Sequence, residues 1–193
     1  MASSSKKYVR KLRLQNVLGV ICAVLILASF FSPWWGVNVI SGWQRWSIAV
    51  FPHGVYGDIL PYGFGRPYAG SPIFMIFTGV FAVCIFLCLL GSILKGKKGK
   101  ALLLTTGAIL LIIVYVFNYR IALACSNVPG AGISIPVEGK AGGEQELGEW
   151  EYAIYTGFQF GYYLAILAGS ACIISPLLVY MYEKLRQRPG KRF

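Results

Sequence analysis

The stretch PIFMIFTGVFAVCIFLCLLGSILKGKKGKALLLTTGAILLIIVYVFNYRIALA, running from Pro72 to Ala124, decides the fold. Two apolar runs, Pro72–Leu94 and Ala101–Ala124, flank a short segment that holds Lys95, Lys97, Lys98 and Lys100. Crossing a hydrocarbon core of about 30 Å takes roughly 20 helical residues, and each run is long enough. Backbone groups inside lipid must hydrogen-bond within their own segment, so both runs read as helices. Together they form a helical hairpin whose turn is basic.

Outward from this pair lie two more runs of the same kind, Val17–Trp34 and Ala153–Tyr182. The 193 residues are 56% hydrophobic and only 13% charged, and the mean hydropathy is +0.63. Soluble domains carry about 25% charged residues, so this composition excludes an ordinary soluble domain. It excludes disordered, collagen-like and coiled-coil chains as well. The expected fold class is an all-α membrane protein, a four-transmembrane-helix bundle with a small β-hairpin-containing extracytoplasmic cap. Residues 1–193 form one domain in this reading, because no soluble segment is large enough to fold alone.

Lys and Arg set the expected orientation. Lys6, Lys7, Arg10, Lys11 and Arg13 precede the first span, the four lysines above separate spans two and three, and Lys184, Arg186, Arg188, Lys191 and Arg192 follow the fourth. These segments contain one acid, Glu183, whereas the other two loops hold Arg45, Arg66 and Lys140 against Asp58, Glu138, Glu144, Glu146, Glu149 and Glu151. By the positive-inside rule the protein is expected in the cell membrane with both termini cytoplasmic. The net charge of +11 is then topogenic charge against anionic headgroups, rather than a nucleic-acid footprint. A basic segment ahead of an apolar run also opens a signal peptide. Here Ser32-Pro33-Trp34-Trp35 follows in place of a small-residue cleavage site, so the run reads as a retained anchor.

Loop 1, about 35–71, contains Val37-Asn38-Val39-Ile40 and Trp43–Phe51 across a Ser41-Gly42 turn, which predicts a hairpin. Its remainder mixes Tyr56, Tyr62, Phe64 and Tyr68 with Gly and Pro. Loop 2, about 125–152, offers a short strand at Ile133–Val137 and an acidic segment, Glu144–Glu151. Aromatic residues with few charges resemble the core of a contact surface, and Trp43, Trp46, Tyr56, Tyr62 and Tyr68 are the candidate contact residues. In plan (four spans, termini inside, a longer first loop with strands) the chain is similar to claudin-like tetraspans. The claudin pattern has a Gly-Leu-Trp motif and a disulfide-bonded Cys pair in loop 1. Here loop 1 has Gly42-Trp43 and no cysteine, so the resemblance is one of plan alone.

Few residues in the spans carry chemistry. Cys22, Cys88 and Cys172 are expected at one depth, and Cys84 lies one helical turn from Cys88. Either a thiol site or plain packing of small apolar residues fits them. Cys125 has no loop partner, and His53 alone is too little for a metal site. Arg120 is the one charged residue in a span interior, and such charges pair or snorkel. Gln159, Glu149 and Glu151 are its candidate partners, with Asn118 joining the network. Gly157, Gly161, Ala165 and Gly169 repeat every four residues, a small-residue stripe suited to close helix packing. No carboxylate lies in any span, and no nucleotide, hydrolase or metalloprotease motif or haem-type His pair appears. No catalytic, cofactor or metal residues are therefore expected.

The sequence reading places first a non-catalytic structural or accessory subunit, working through helix faces and outer loops. Its partners would be the lipid bilayer and other membrane subunits or further copies of itself. An oligomeric channel or small-molecule transporter ranks second, weakened by spans without carboxylates. A membrane thiol or quinone redox enzyme ranks third, for want of a paired acid and base.

Overall fold

The computed structural model describes residues 14–57, 72–94, 96–126, 134–143 and 152–187. Helix α1 spans Leu14–Phe31, followed by β1 (Trp35–Ser41), β2 (Gln44–Phe51) and β3 (Gly54–Gly57). Helices α2 (Pro72–Ile93) and α3 (Lys97–Ser126) come next, then β4 (Gly139–Gly143), β5 (Tyr152–Phe158) and α4 (Phe160–Gln187). All four helices contain stretches long and apolar enough to cross a membrane, that of α4 being Phe160–Tyr182.

The helices pack in a ring, α1 against α2, α2 against α3, α3 against α4 and α4 against α1. Small residues set the closest approaches. A Cβ on Gly107 of α3 would lie 2.7 Å from the Gly169 carbonyl of α4. One on Gly19 of α1 would lie 2.6 Å from Cβ of Ser92 on α2. Between them the core is filled by Ile26, Phe81, Leu103, Leu110 and Cys172, each no more than 1% exposed. The helices' outward faces are apolar too, as with Val24, Phe86, Ile112 and Leu177. A helix hydrophobic on every side suits a lipid surround.

The strands form one antiparallel sheet in the order β3-β2-β1-β5-β4. β1 runs on from the end of α1 and β5 leads into α4, which seats the sheet at that end of the bundle. β1 is the middle strand, with Val39 opposite Trp46 of β2 and Ile154 of β5. Gly42, with φ of 55°, takes the first central position of the β1–β2 turn, where a positive φ is needed.

Two expectations, one on the fourth span and one on loop 2, are revised. The segment expected to be helical from Ala153 is strand β5 up to Phe158, and the helix starts at Phe160. Ile154, Thr156 and Phe158 alternate onto one face, the period of a strand. The described part of 133–137 is not a strand; pairing with β5 is taken instead by Gly139–Gly143.

Candidate functional site

The run Phe30–Gly36 carries the chain from the bundle into the sheet. Pro33 has no N–H to extend α1, and Ser32 closes the helix end with its Oγ donating to the Ala28 carbonyl at 2.8 Å. Trp34, wholly buried, then turns into the bundle. Its ring meets Phe81 of α2, Phe117 of α3 and Tyr162 of α4 edge-on, with centroids 5.6, 4.9 and 5.9 Å away. Its Nε1 donates to the Ser29 carbonyl and hydroxyl, both at 3.1 Å. The Ser29 hydroxyl in turn donates to the Gly161 carbonyl at 2.7 Å. The first N–H groups of a helix have no partner within it. In α4 the Gly161 N–H donates to the Pro33 carbonyl, and just ahead of the helix the Gln159 N–H donates to that of Trp34, both at 2.9 Å.

Trp35 turns the other way, its Nε1 donating to the Val137 carbonyl at 2.7 Å. Thr156 Oγ1 donates to the neighbouring Pro136 carbonyl, also at 2.7 Å. The segment before β4 is thereby pinned to one face of the sheet, with the Ile135 N–H donating to the Cys125 carbonyl at the end of α3. Trp35, Val37, Val50 and Thr156 are buried on that face. On the opposite face Asn38, Arg45, Tyr155 and Lys140 are exposed. The register aligns Ser47, Asn38, Tyr155 and Lys140 in one row across four strands, and Arg45, Ile40 and Ala153 in the next. A depression of about 250 Å³ lies here, lined by Asn38, Ile40, Arg45 and Ser47 with Val39 and Trp46. The Lys140 ammonium sits 5.6 Å from the centre of the Tyr155 ring, a cation–π distance.

The candidate contact residues separate. Trp43 stands at the hairpin tip with its side chain fully exposed, at 101%. Trp46 is half-buried on the pinned face, while Tyr56 is exposed on the open one. Tyr62 and Tyr68 lie outside the described residues. Tyr56 also meets Phe51 and His53, and His53 packs on Phe30 at 4.9 Å.

The small-residue stripe divides at the strand–helix boundary. Gly157 lies in β5, where a Cβ would touch nothing within 4 Å. Gly161 faces the Ser32 and Pro33 carbonyls, Ala165 is fully buried and Gly169 packs on α3. Of the polar residues, Asn118 Nδ2 donates to the Tyr162 hydroxyl at 3.4 Å. The Gln159 amide lies against Gly36. Arg120 is exposed, and among the described residues it has no hydrogen bond or ion pair; Glu149 and Glu151 lie outside them.

In the core, Cys88 and Cys172 place their sulfurs 3.5 Å apart, and Cys22 Sγ is 3.9 Å from Ser175 Oγ. All five cysteines are free and buried. Among the described residues no group of three or more His, Cys, Asp and Glu is arranged to hold a metal ion. Sequence reasoning passed over Ser29, Trp34, Trp35 and Tyr162 as site residues. The only signal was the density of aromatic residues around Pro33. It also passed over Gln15, a buried amide at the far end of α1.

Compared with known proteins, the chain matches no family model and no curated protein.

Proposed function

We propose that this chain is a non-catalytic integral membrane protein, a structural or accessory subunit that works through its sheet and its helix faces. The observation that carries the reading is Trp43. A tryptophan side chain presents about 150–250 Å² of surface for burial, and tryptophan is the residue type most enriched at binding hot spots. Here it is held out at the tip of a two-residue turn, on strands held to the bundle by Trp34 and to the segment before β4 by Trp35. That geometry offers a pre-ordered anchor whose docking costs little conformational entropy.

The described lysines Lys97, Lys98, Lys100 and Lys184 sit at the helix ends remote from the sheet. By the positive-inside rule that end is cytoplasmic together with both termini, and the sheet stands outside the cell membrane. The test is native mass spectrometry after mild extraction from the source membrane. Bound polypeptides that are lost with Trp43→Ala support the reading. A mass equal to a small multiple of 21.2 kDa points to self-assembly, with liposome flux as the next assay for a pore between copies.

A further inference from the structure

We propose that the open face of the sheet docks an extended acidic segment of a partner protein; this rests on the contact-subunit reading above. The five strands contain two charged side chains, Arg45 and Lys140, and no Asp or Glu. The register puts both cations on the same face. Lys140 falls in the row of Ser47, Asn38 and Tyr155, and Arg45 in the adjacent row. Arg45 is on β2 and Lys140 on β4, three strand intervals apart, or about 14 Å at about 4.8 Å per interval. An extended chain crossing the sheet can reach both.

The ground between the two cations suits a peptide. The depression of about 250 Å³ holds one or two side chains. Asn38 is exposed, with an amide that can pair with backbone groups, and Tyr155 is 40% exposed and offers a flat contact. Tyr and Asn with an Arg anchor are residue types that antibody combining sites use to bind protein. Cations facing carboxylates add orientation and faster association.

The test uses the full chain in nanodiscs, with a benzophenone amino acid at position 38 and a biotinylated polyglutamate peptide as probe. The expected result is saturable cross-linking that falls as salt rises and drops at least tenfold in Arg45→Glu/Lys140→Glu. Lys97→Glu/Lys98→Glu, at the other end of the bundle, leaves it unchanged. The milder Arg45→Gln/Lys140→Gln pair, checked by thermal melting, shows the same direction of loss without charge reversal. In the cross-linking assay the inference is overturned by a cross-link indifferent to Arg45 and Lys140, by one that runs to this chain's own Glu144–Glu151 segment, or by capture of polyglucuronate in place of polyglutamate. Partners that co-purify through Trp43 and survive the Arg45/Lys140 variants would sink this inference alone. Absence of any partner of the wild-type chain would sink the contact-subunit reading as well.

Discussion

At the sheet end of the bundle, one indole reaches the other three helices; at the opposite end, one amide holds a turn. Trp34 packs on Phe81, Phe117 and Tyr162 and sends its N–H into Ser29. Gln15, buried on α1, donates from Nε2 to the Gly91 and Leu94 carbonyls at 2.8 and 3.0 Å. The Gly91 carbonyl lies in the last turn of α2 and Leu94 directly follows the helix, so Gln15 serves as a cap from a neighbouring element. Gly96, with φ of 72°, then reverses the chain into α3. The first end is held by apolar area gathered from every helix, the second by hydrogen bonds local to one turn. The comparison teaches that the sheet end, where the proposed contacts lie, is also the end with the larger stake in the fold.

Five substitutions probe that contrast, the largest effect first and Gly157→Ala set beside Gly161→Ala. Trp34→Ala removes the shared packing partner and is expected to cost about 3–5 kcal/mol. It should lower the melting temperature in detergent and speed hydrogen exchange in β1 and β5 together. Should Gln15→Leu melt lower than Trp34→Ala, the ranking of the two ends would be reversed.

Gly161→Ala comes next. A Cβ there would lie 2.5 Å from the Ser32 carbonyl oxygen and 2.8 Å from that of Pro33. Both are backbone atoms that cannot swing aside, so a loss of about 1–3 kcal/mol is expected. Gly157→Ala, four residues earlier, meets nothing within 4 Å and should stay within about 0.5 kcal/mol. Equal melting of the two variants would mean that α1 and α4 do not meet as described.

Gln15→Leu keeps the bulk but strips both carbonyls of their donor, at about 1–3 kcal/mol. Its signature should be local: faster exchange at the α2–α3 turn, with the sheet unchanged. Arg120→Leu should be the mildest, within about 0.5 kcal/mol by thermal melting, because the side chain is exposed. A loss several times larger would reveal a partner in loop 2 and give the sheet end a second fastening.

The four apolar helices were legible because a run of this length has few other uses. The hairpin was legible too, since Ser41-Gly42 separates two β-prone runs. The start of α4 was not. Tyr152–Phe158 is mostly apolar and runs straight into the helix behind it, and apolarity alone does not separate a buried strand from a helix. The alternation of Tyr152, Ile154, Thr156 and Phe158 was the missed cue, and the error carried Gly157 onto a helix face it does not share. β4 had no cue at all. Gly-Lys-Ala-Gly-Gly is a poor strand former, and it pairs because β5 lies beside it. The convergence on Trp34 was equally hidden, because its partners come from four separate helices and no local pattern joins them.

The central position of β1 also constrains how the protein is made. Its partner on one side, β2, is the next strand to be synthesised, but its partner on the other, β5, follows only after α2, α3 and β4. At ordinary translation rates that interval is on the order of ten seconds. Throughout it, the hydrogen-bonding edge of β1 stands open, an invitation to pair with another chain. The last strand covers that edge, and the helix that follows it sets Gly161 against the Pro33 carbonyl. A nascent chain halted before α4 would therefore be both unfinished and adhesive, a state for quality control to recognise.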